Sequence, residues 1–459
     1  MRIVLELTSW SSGTADPERF PYDAVVTEFQ RVGKHFVKKE LLAVLDQVRA
    51  RVGTRTPPAR QLSTFLDVAL DKWDDRYDYR SYLALPLLPL PAAGPTDIRP
   101  AGPAPSTGQT DQTGPTGPAT RAGQSQQATR AGQAGGRRER DRLLVDLVAD
   151  ALAFELAVAT DATDLLPEQR PEPTVVAKRY RLGVRAGISA LTRLGRVGAV
   201  TDPDPVTATR DPVAAATALH RLAVAGRDPA RERVLRLSML PVYVSHDEYL
   251  FIRVLQAYEC VFAGVAEELR DTITALATGR PHRAAASLAY ARELISDAGP
   301  LFSLLATMQP AAFRTFRDYT EGASAIQSRS YKLMESLCRP PTPDRLDSTA
   351  YRSVPEVRDL VRSGQPSIDQ AYRAAVHDGL LRGPDQALVR QRMAAFAEAV
   401  LTWRRTHHRL ATRMLGSRSG TGYTEGTPYL AAVRADPVFT TVSADPGTTR
   451  VDPIGGCSE

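Results

Sequence analysis

Cysteine is scarce in this sequence: Cys260, Cys338 and Cys457 are three lone thiols with no C-x-x-C spacing. Their separation excludes the usual zinc arrangements and a disulfide framework, and fits a reducing compartment. Aromatic residues make up only 7%, which argues against a sheet protein. No apolar run approaches the ~20 residues that a bilayer-spanning helix needs. The opening MRIVLELTSW has one arginine and an apolar stretch broken by Glu6, so neither a leader nor a membrane segment is expected and the reading is a cytoplasmic protein. A phosphate-cradling glycine loop, an H-E-x-x-H pair and a G-x-S-x-G elbow are all missing, which removes the common nucleotide and hydrolase readings. The net charge of +6 comes from scattered arginines without dense basic blocks or interleaved aromatics. A solvated surface is favoured over a nucleic-acid interface, including for the basic stretch VAKRYRLGVRAGISALTRLGR.

What is present is alanine, arginine, leucine and 34 prolines, with 43% apolar residues over 459 positions. This composition predicts an all-α fold of helices joined by proline-rich breaks. Residues 24–52 and 60–76 carry helical periodicity and form an N-terminal extension, 1–75. After a short segment, 76–91, comes a Gly, Pro and Gln-rich stretch, 92–140, whose composition predicts a disordered linker. Helices are expected over 141–240, at 174–196, 212–225 and 229–239, and then within a unit at 241–435 that precedes a tail at 436–459. That unit should hold a long helix starting near Ser245 or Asp247 and stopping at Gly279, then helices at 283–307, 311–337 and 386–416.

The last of these helices contains LTWRRTHHRLATRMLGSRSGTG, with two adjacent histidines. On a helix, positions three, four and seven apart share a face. His407 then lies with Val400, Trp403, Leu410, Ala411 and Met414, whereas His408 shares a mixed face with Arg404, Arg405 and Thr412. His407 is the buried candidate. A histidine on an apolar face is more often a hydrogen-bonded core residue than a ligand, and spacing alone leaves haem ligation as one option among several.

The stretch WRRTHHRLATRMLGSRSGTG resembles the tryptophan 2,3-dioxygenase pattern W-R-x-x-H, five residues, R, then M-L-G-S and G-T-G-G. In chain order, YRSYLALPLL at 79–88, HDEYLFIRVLQAYE at 246–259 and FRDYTEGASAIQSRSYKLME at 316–335 are similar to three other segments of that family. The resemblance implies a helical haem-binding bundle, here with an extension and a large insertion. It implies haem b held by His407 as the axial iron ligand, and O2 as co-substrate. Trp403 would sit beside the haem within reach of a propionate. Phe251 and Phe313 would line the substrate pocket, Arg317 would grip the α-carboxylate of an aromatic amino acid, and Thr421 would hold its amino-acid end from a closing loop. Tyr79 and Tyr82 would come from a neighbouring subunit of a homo-oligomer, a dimer or tetramer. The implied reaction adds O2 across the indole C2–C3 bond of L-tryptophan or a substituted tryptophan, giving an N-formylkynurenine-type product.

The sequence departs from the family pattern around the pocket. Leu255 stands where the family has its distal histidine, Tyr423 and Glu425 alter the G-T-G loop, and Ile326 replaces an aromatic. A leucine leaves an indole N–H unpaired in a closed pocket, at a cost of about 1–3 kcal/mol. A haem-dependent mono-oxygenase of an aromatic amino acid derivative is therefore the second reading, and a non-catalytic haem-binding protein the third.

Overall fold

A computed structural model of the chain describes residues 2–13, 15–91, 118–196, 211–415, 427–434 and 436–442. Regular structure among these residues is helical, apart from one isolated bridge between Glu168 and Ser245. The all-α expectation is met.

The N-terminal segment folds as α1 (Arg2–Ser12), α2 (Tyr22–Val32), α3 (Lys39–Arg51) and α4 (Pro57–Ala69). The helix expected to run through 24–52 is broken at Gly33. These helices build a small core of their own from Val25, Phe29, Leu45, Leu62 and Phe65, and that core also takes in Ala84, Leu87, Leu237 and Leu240 from beyond the extension. The four helices are therefore stitched onto the remainder of the chain by shared apolar burial. Lys34 is buried within this seam, its ammonium 2.6 Å from the Asp71 carboxylate and donating to the Val68 carbonyl.

Gly33 makes that seam possible. Its φ is +80°, and a Cβ there would fall 2.7 Å from the Val242 carbonyl oxygen. The close approach lets the Lys34 and His35 amides donate to the Pro241 and Val242 carbonyls at 2.8 and 3.2 Å.

A short helix, α5 (Tyr79–Tyr82), follows, capped reciprocally by Asp78 and Ser81. Residues 92–117 lie outside the described residues, and α6 (Pro118–Ala159) already begins within the stretch expected to be linker. Alanine, glutamine and arginine dominate its first half and are good helix formers. Arg137 then grips Glu268 with two hydrogen bonds of 2.8 and 2.6 Å. Next come α7 (Pro173–Arg193), α8 (Pro212–Ala225) and α9 (Pro229–Leu237). They form no separate body: Leu147, Leu152, Val184 and Leu219 share one core with Ile252, Leu269, Leu288 and Phe396.

The axis of that core is α10 (His246–Ala277). By length and composition it could cross a bilayer, but 89% of its most apolar stretch is buried inside the protein, so it is a core helix. Around it pack α6, α11 (Pro281–Asp297), α12 (Gly299–Leu305), α13 (Pro310–Arg317), α14 (Arg329–Cys338) and α15 (Ile368–His377). The long α16 (Gly383–Leu415) lies on α11 and carries the short α17 (Thr427–Arg434). The helix expected across 311–337 is interrupted: between α13 and α14 the chain turns through residues 318–328, with Glu321 at φ 45°. Of the expected tail, residues 436–442 pack onto the core through Val438, Phe439 and Val442, and Thr440 and Thr441 donate to Asp369.

The Gly33→Ala substitution should destabilise the protein by more than ~1 kcal/mol, because alanine is both strained at positive φ and too close to Val242. A lowered urea midpoint checks this; an unchanged midpoint would remove the close backbone approach from the account of how the extension docks.

Candidate functional site

One face of α10 carries Phe251, Leu255, Tyr258 and Phe262, spaced four, three and four residues apart, and all four line the same cavity of ≈ 280 Å³. The facing wall comes from α16, where Trp403, His407, Leu410, Ala411 and Met414 repeat at the same helical period. Phe302 of α12 and Phe313, Phe316 and Arg317 of α13 line it as well, together with Thr320 and residues 323–326 of the turn and Tyr331 of α14. The lining is predominantly aromatic and aliphatic with a few polar groups, the composition of a small-molecule site.

Most residues expected to form the site from sequence are brought together here. Phe251, Phe313, Arg317, Leu255, Ile326, Trp403 and His407 all line the cavity. Phe251 lies 5.6 Å from Phe313 and 5.3 Å from Phe316, ring centre to ring centre. Thr421, Tyr423 and Glu425 lie outside the described residues.

Tyr79 and Tyr82 of this chain also line the cavity. The reason is packing: α5 is continuous with segments buried in both cores, and its two hydroxyls are drawn to buried carboxyls of α10. Tyr82 donates to Glu248 and Tyr79 to Glu259, each at 3.3 Å. Glu248 also accepts from the backbone amides of Val242 and Tyr243 at 2.7 and 3.0 Å, yet burial pushes its carboxyl up to about 8.

His407 is half-buried and makes no hydrogen bond among the described residues. Its ring stacks on Phe302 at 6.1 Å and packs against Trp403 at 5.1 Å. Burial, with a smaller contribution from His408, lowers its pKa to about 4, so the imidazole is neutral and keeps a lone pair at neutral pH. Trp403 is ringed by Tyr258, Phe262, Phe302 and Tyr331 at 5.2–5.9 Å, and its indole N–H is buried without a hydrogen-bond partner. A neutral unpartnered imidazole and an orphaned buried donor on one cavity wall suit a flat apolar cofactor that carries both a metal and an acceptor group. Among the described residues no cluster of three or more His, Cys, Asp or Glu side chains could hold a bare metal ion. Haem needs no such cluster: the porphyrin supplies four nitrogens, and one axial imidazole completes the protein's share.

The periodicity of α10 could have revealed Tyr258 and Phe262, since both continue the face that begins at Phe251. Phe302, Met308, Thr320 and Tyr331 had no local signal, because tertiary packing alone brings them to the cavity.

Beneath the Trp403 wall lies a buried charge cluster. Glu335 is 2.9 Å from Lys332 and 2.9 Å from Arg345. Arg404 donates to the Tyr331 hydroxyl at 3.0 Å and to the Asp436 carbonyl at 2.7 Å. Burial alone would raise the Glu335 pKa, but Lys332, Arg345 and Arg404 outweigh it and hold it at about 2.

Thus far fold and cavity define an all-α protein with an aromatic-walled small-molecule site served by one neutral histidine. Residues 237–387 match the family model for tryptophan 2,3-dioxygenase. The chain is 28% identical over 223 residues to a tryptophan 2,3-dioxygenase of Anaeromyxobacter sp. (strain K), covering 42% of this chain and 84% of that protein. Proteins of the same name from Caulobacter vibrioides (strain ATCC 19089 / CIP 103742 / CB 15) and Nocardioides sp. (strain ATCC BAA-499 / JS614) are 26% and 28% identical, over 42% and 40% of this chain and 86% and 79% of their own lengths. These matches support a divergent relative of the tryptophan 2,3-dioxygenases, a family of oxygenases.

For Glu335 the sign of the pH dependence follows from its lowered folded-state pKa. Its stabilisation is fully present above the unfolded value near 4.3 and is lost as pH falls toward about 2. Glu335→Gln should cost roughly 3–5 kcal/mol at neutral pH by leaving buried cations unpaired, and should flatten the acid limb of stability below about pH 4.5. Urea midpoints measured across pH test both; an acid limb as steep as wild type would exclude Glu335 as its source.

Proposed function

We propose that this protein is a haem-dependent oxygenase of an aromatic amino acid, inserting O2 into the indole C2–C3 bond of L-tryptophan or a substituted tryptophan. The observation that supports it most is the neutral, unpartnered His407 imidazole facing an aromatic-walled cavity, with the orphaned Trp403 N–H on the same wall. His407 would hold the haem through its iron and Trp403 Nε1 would donate to one of its carboxylates. Bound haem would supply the iron that activates O2, which no side chain of the cavity can do.

The chain's own residues bind, orient and exclude water. Phe251, Phe313 and Phe316 offer faces and edges to an aromatic ring, and the largely apolar lining disfavours water beside it. Arg317, at the C-terminus of α13 and on the cavity wall, is suited to the substrate carboxylate as a charge-assisted pair, a positioning role. Thr421 would hold the amino-acid end of the substrate through its hydroxyl. Tyr79 and Tyr82 close the distal end with hydroxyls already committed to Glu259 and Glu248. An assembly into dimer or tetramer would pack around a site to which this chain already contributes both tyrosines.

One observation favours a second reading, single-oxygen insertion into an aromatic amino acid derivative. The Leu255 side chain lines the cavity at the position of the family's distal histidine and offers no group to pair with an indole N–H. A substrate lacking that N–H, or carrying it elsewhere, would meet no penalty there.

His407→Ala should abolish the haem Soret band of the reconstituted protein, and His408→Ala should retain it; the reverse pattern would falsify the ligand assignment. Arg317→Leu should raise KM for an aromatic amino acid by about 10- to 100-fold while haem loading stays unchanged. Incubating the reduced, haem-loaded protein with O2 and a panel of aromatic amino acids separates the readings by product mass. Two added oxygens support dioxygenation, one supports the alternative, and O2 consumption independent of every amino acid would leave a non-catalytic haem protein.

A further inference from the structure

The turn through residues 318–328 forms one wall of the cavity, contributing Thr320, Ala323, Ser324, Ile326 and Ser328. Within it the Ala323 N–H donates to the Thr320 carbonyl, and Ser324 and Gln327 cap a single 3-10 turn. Glu321 sits at φ 45°, a backbone conformation that residues other than glycine resist, and its side chain is half exposed. Contacts from Phe36, Lys72 and Tyr79, and from Tyr243, add to these bonds from outside. The Lys72 ammonium donates to the Tyr319 carbonyl at 3.0 Å, pairs with Glu321 at 2.9 Å and lies 4.0 Å from the centre of the Tyr77 ring, with its side chain only 12% exposed. The Tyr319 ring is stacked at 4.7 Å on Tyr243 and edged by Phe36 at 5.1 Å. At the far end of the turn, Gln327 Oε1 accepts from the backbone amides of both Tyr79 and Ser324, at 3.0 and 3.1 Å. The cavity-lining residues thus lie between two anchors, and both anchors reach into residues 34–79.

We propose that the N-terminal extension is a clamp on this cavity wall, and that Lys72 is a positioning residue acting on substrate through the 318–328 turn. Phe36, 45% exposed, contributes apolar surface that is left uncovered apart from its contact with the Tyr319 region. Two features separate such a clamp from ordinary docking. The extension already has a core of its own and a separate backbone seam at Gly33, so the Lys72 contacts are not needed to hold it on. The contacts are also directed at the cavity-lining segment between α13 and α14, whose regular structure is a single 3-10 turn at Ala325–Gln327. Removing the ammonium should therefore loosen the wall while leaving the fold intact. That Lys72 acts on substrate rests on the oxygenase reading above; the clamping of the wall does not.

The test compares Lys72→Met, Lys72→Arg and Glu321→Gln in the full chain. Lys72→Met should raise KM for the turned-over amino acid by about tenfold with kcat within twofold, since the wall orients substrate and performs no chemistry. Its Soret band and urea midpoint should match wild type. Hydrogen–deuterium exchange should accelerate in peptides covering 318–328 and nowhere in α10 or α16. Glu321→Gln should act in the same direction, the double variant Lys72→Met/Glu321→Gln should be no worse than the stronger single one, and Lys72→Arg should restore most of the effect. Unchanged exchange at 318–328, or a KM shift that tracks a loss of global stability, overturns the clamp. If wild-type protein turns over no aromatic amino acid, the oxygenase reading fails, and exchange at 318–328 still decides whether the wall is clamped.

Discussion

A helix buried on every side has nowhere to send its polar side chains except into the protein, and α10 is such a helix. His246, Asp247, Glu248, Arg253, Gln256, Glu259 and Glu268 are all buried on it. Each must find a partner or leave an unpaired polar group in the core. The partners come from remote parts of the chain. His246 meets Glu155 of α6 at 3.0 Å, and Asp247 pairs with Arg179 of α7, which also reaches Glu155 and Thr307. Arg253 takes Asp150 of α6 and the Leu235 carbonyl, while Gln256 donates to the Leu83 and Ser238 carbonyls. Satisfying one helix thereby specifies where the segment after α5, helices α6 and α7, and residues 235–238 must lie.

The same constraint makes the cavity. Polar positions of α10 are pulled outward to these partners, and the face left over, Phe251, Leu255, Tyr258 and Phe262, meets a lining that is mainly apolar and aromatic. Glu248 and Glu259 hold Tyr82 and Tyr79 at the distal end from one side of α10. α16 closes the other side with Trp403 and His407. A neutral histidine and an indole N–H that is unpaired among the described residues then stand together on that wall.

Much of this was legible because it is periodic. The helical stripe selected His407 over His408, and the α10 face beginning at Phe251 is visible at four- and three-residue steps. What local pattern could not carry was set by tertiary contact. The apolar residues of 24–52 read as one helix, and only the approach of Val242 requires Gly33 to break it. Residues 311–337 read as one helix too, and the turn that interrupts it at 318–328 is held in part by Lys72, Tyr243 and Tyr79. That this chain's own Tyr79 and Tyr82 reach the cavity was likewise invisible, since the same motif could serve its own chain or a neighbour.

The match to the family model ends at residue 387 and so covers the α10 wall, Arg317 and the turn, but not His407. The histidine rests instead on helix geometry, the W-R-x-x-H spacing and its unpaired state in the cavity. On the oxygenase reading, Trp403 and His407 would face the cofactor, whereas the substrate side presents Leu255 and a turn supported from outside by the extension. An apolar substitution removes a hydrogen bond that would orient a ring from one point, so orientation must come from shape, which requires a stiffer wall. The extension stiffens the segment that completes that shape. On the oxygenase reading, Leu255 and the Lys72 anchor would act together, the substrate ring being oriented by enclosure where Leu255 offers no polar contact.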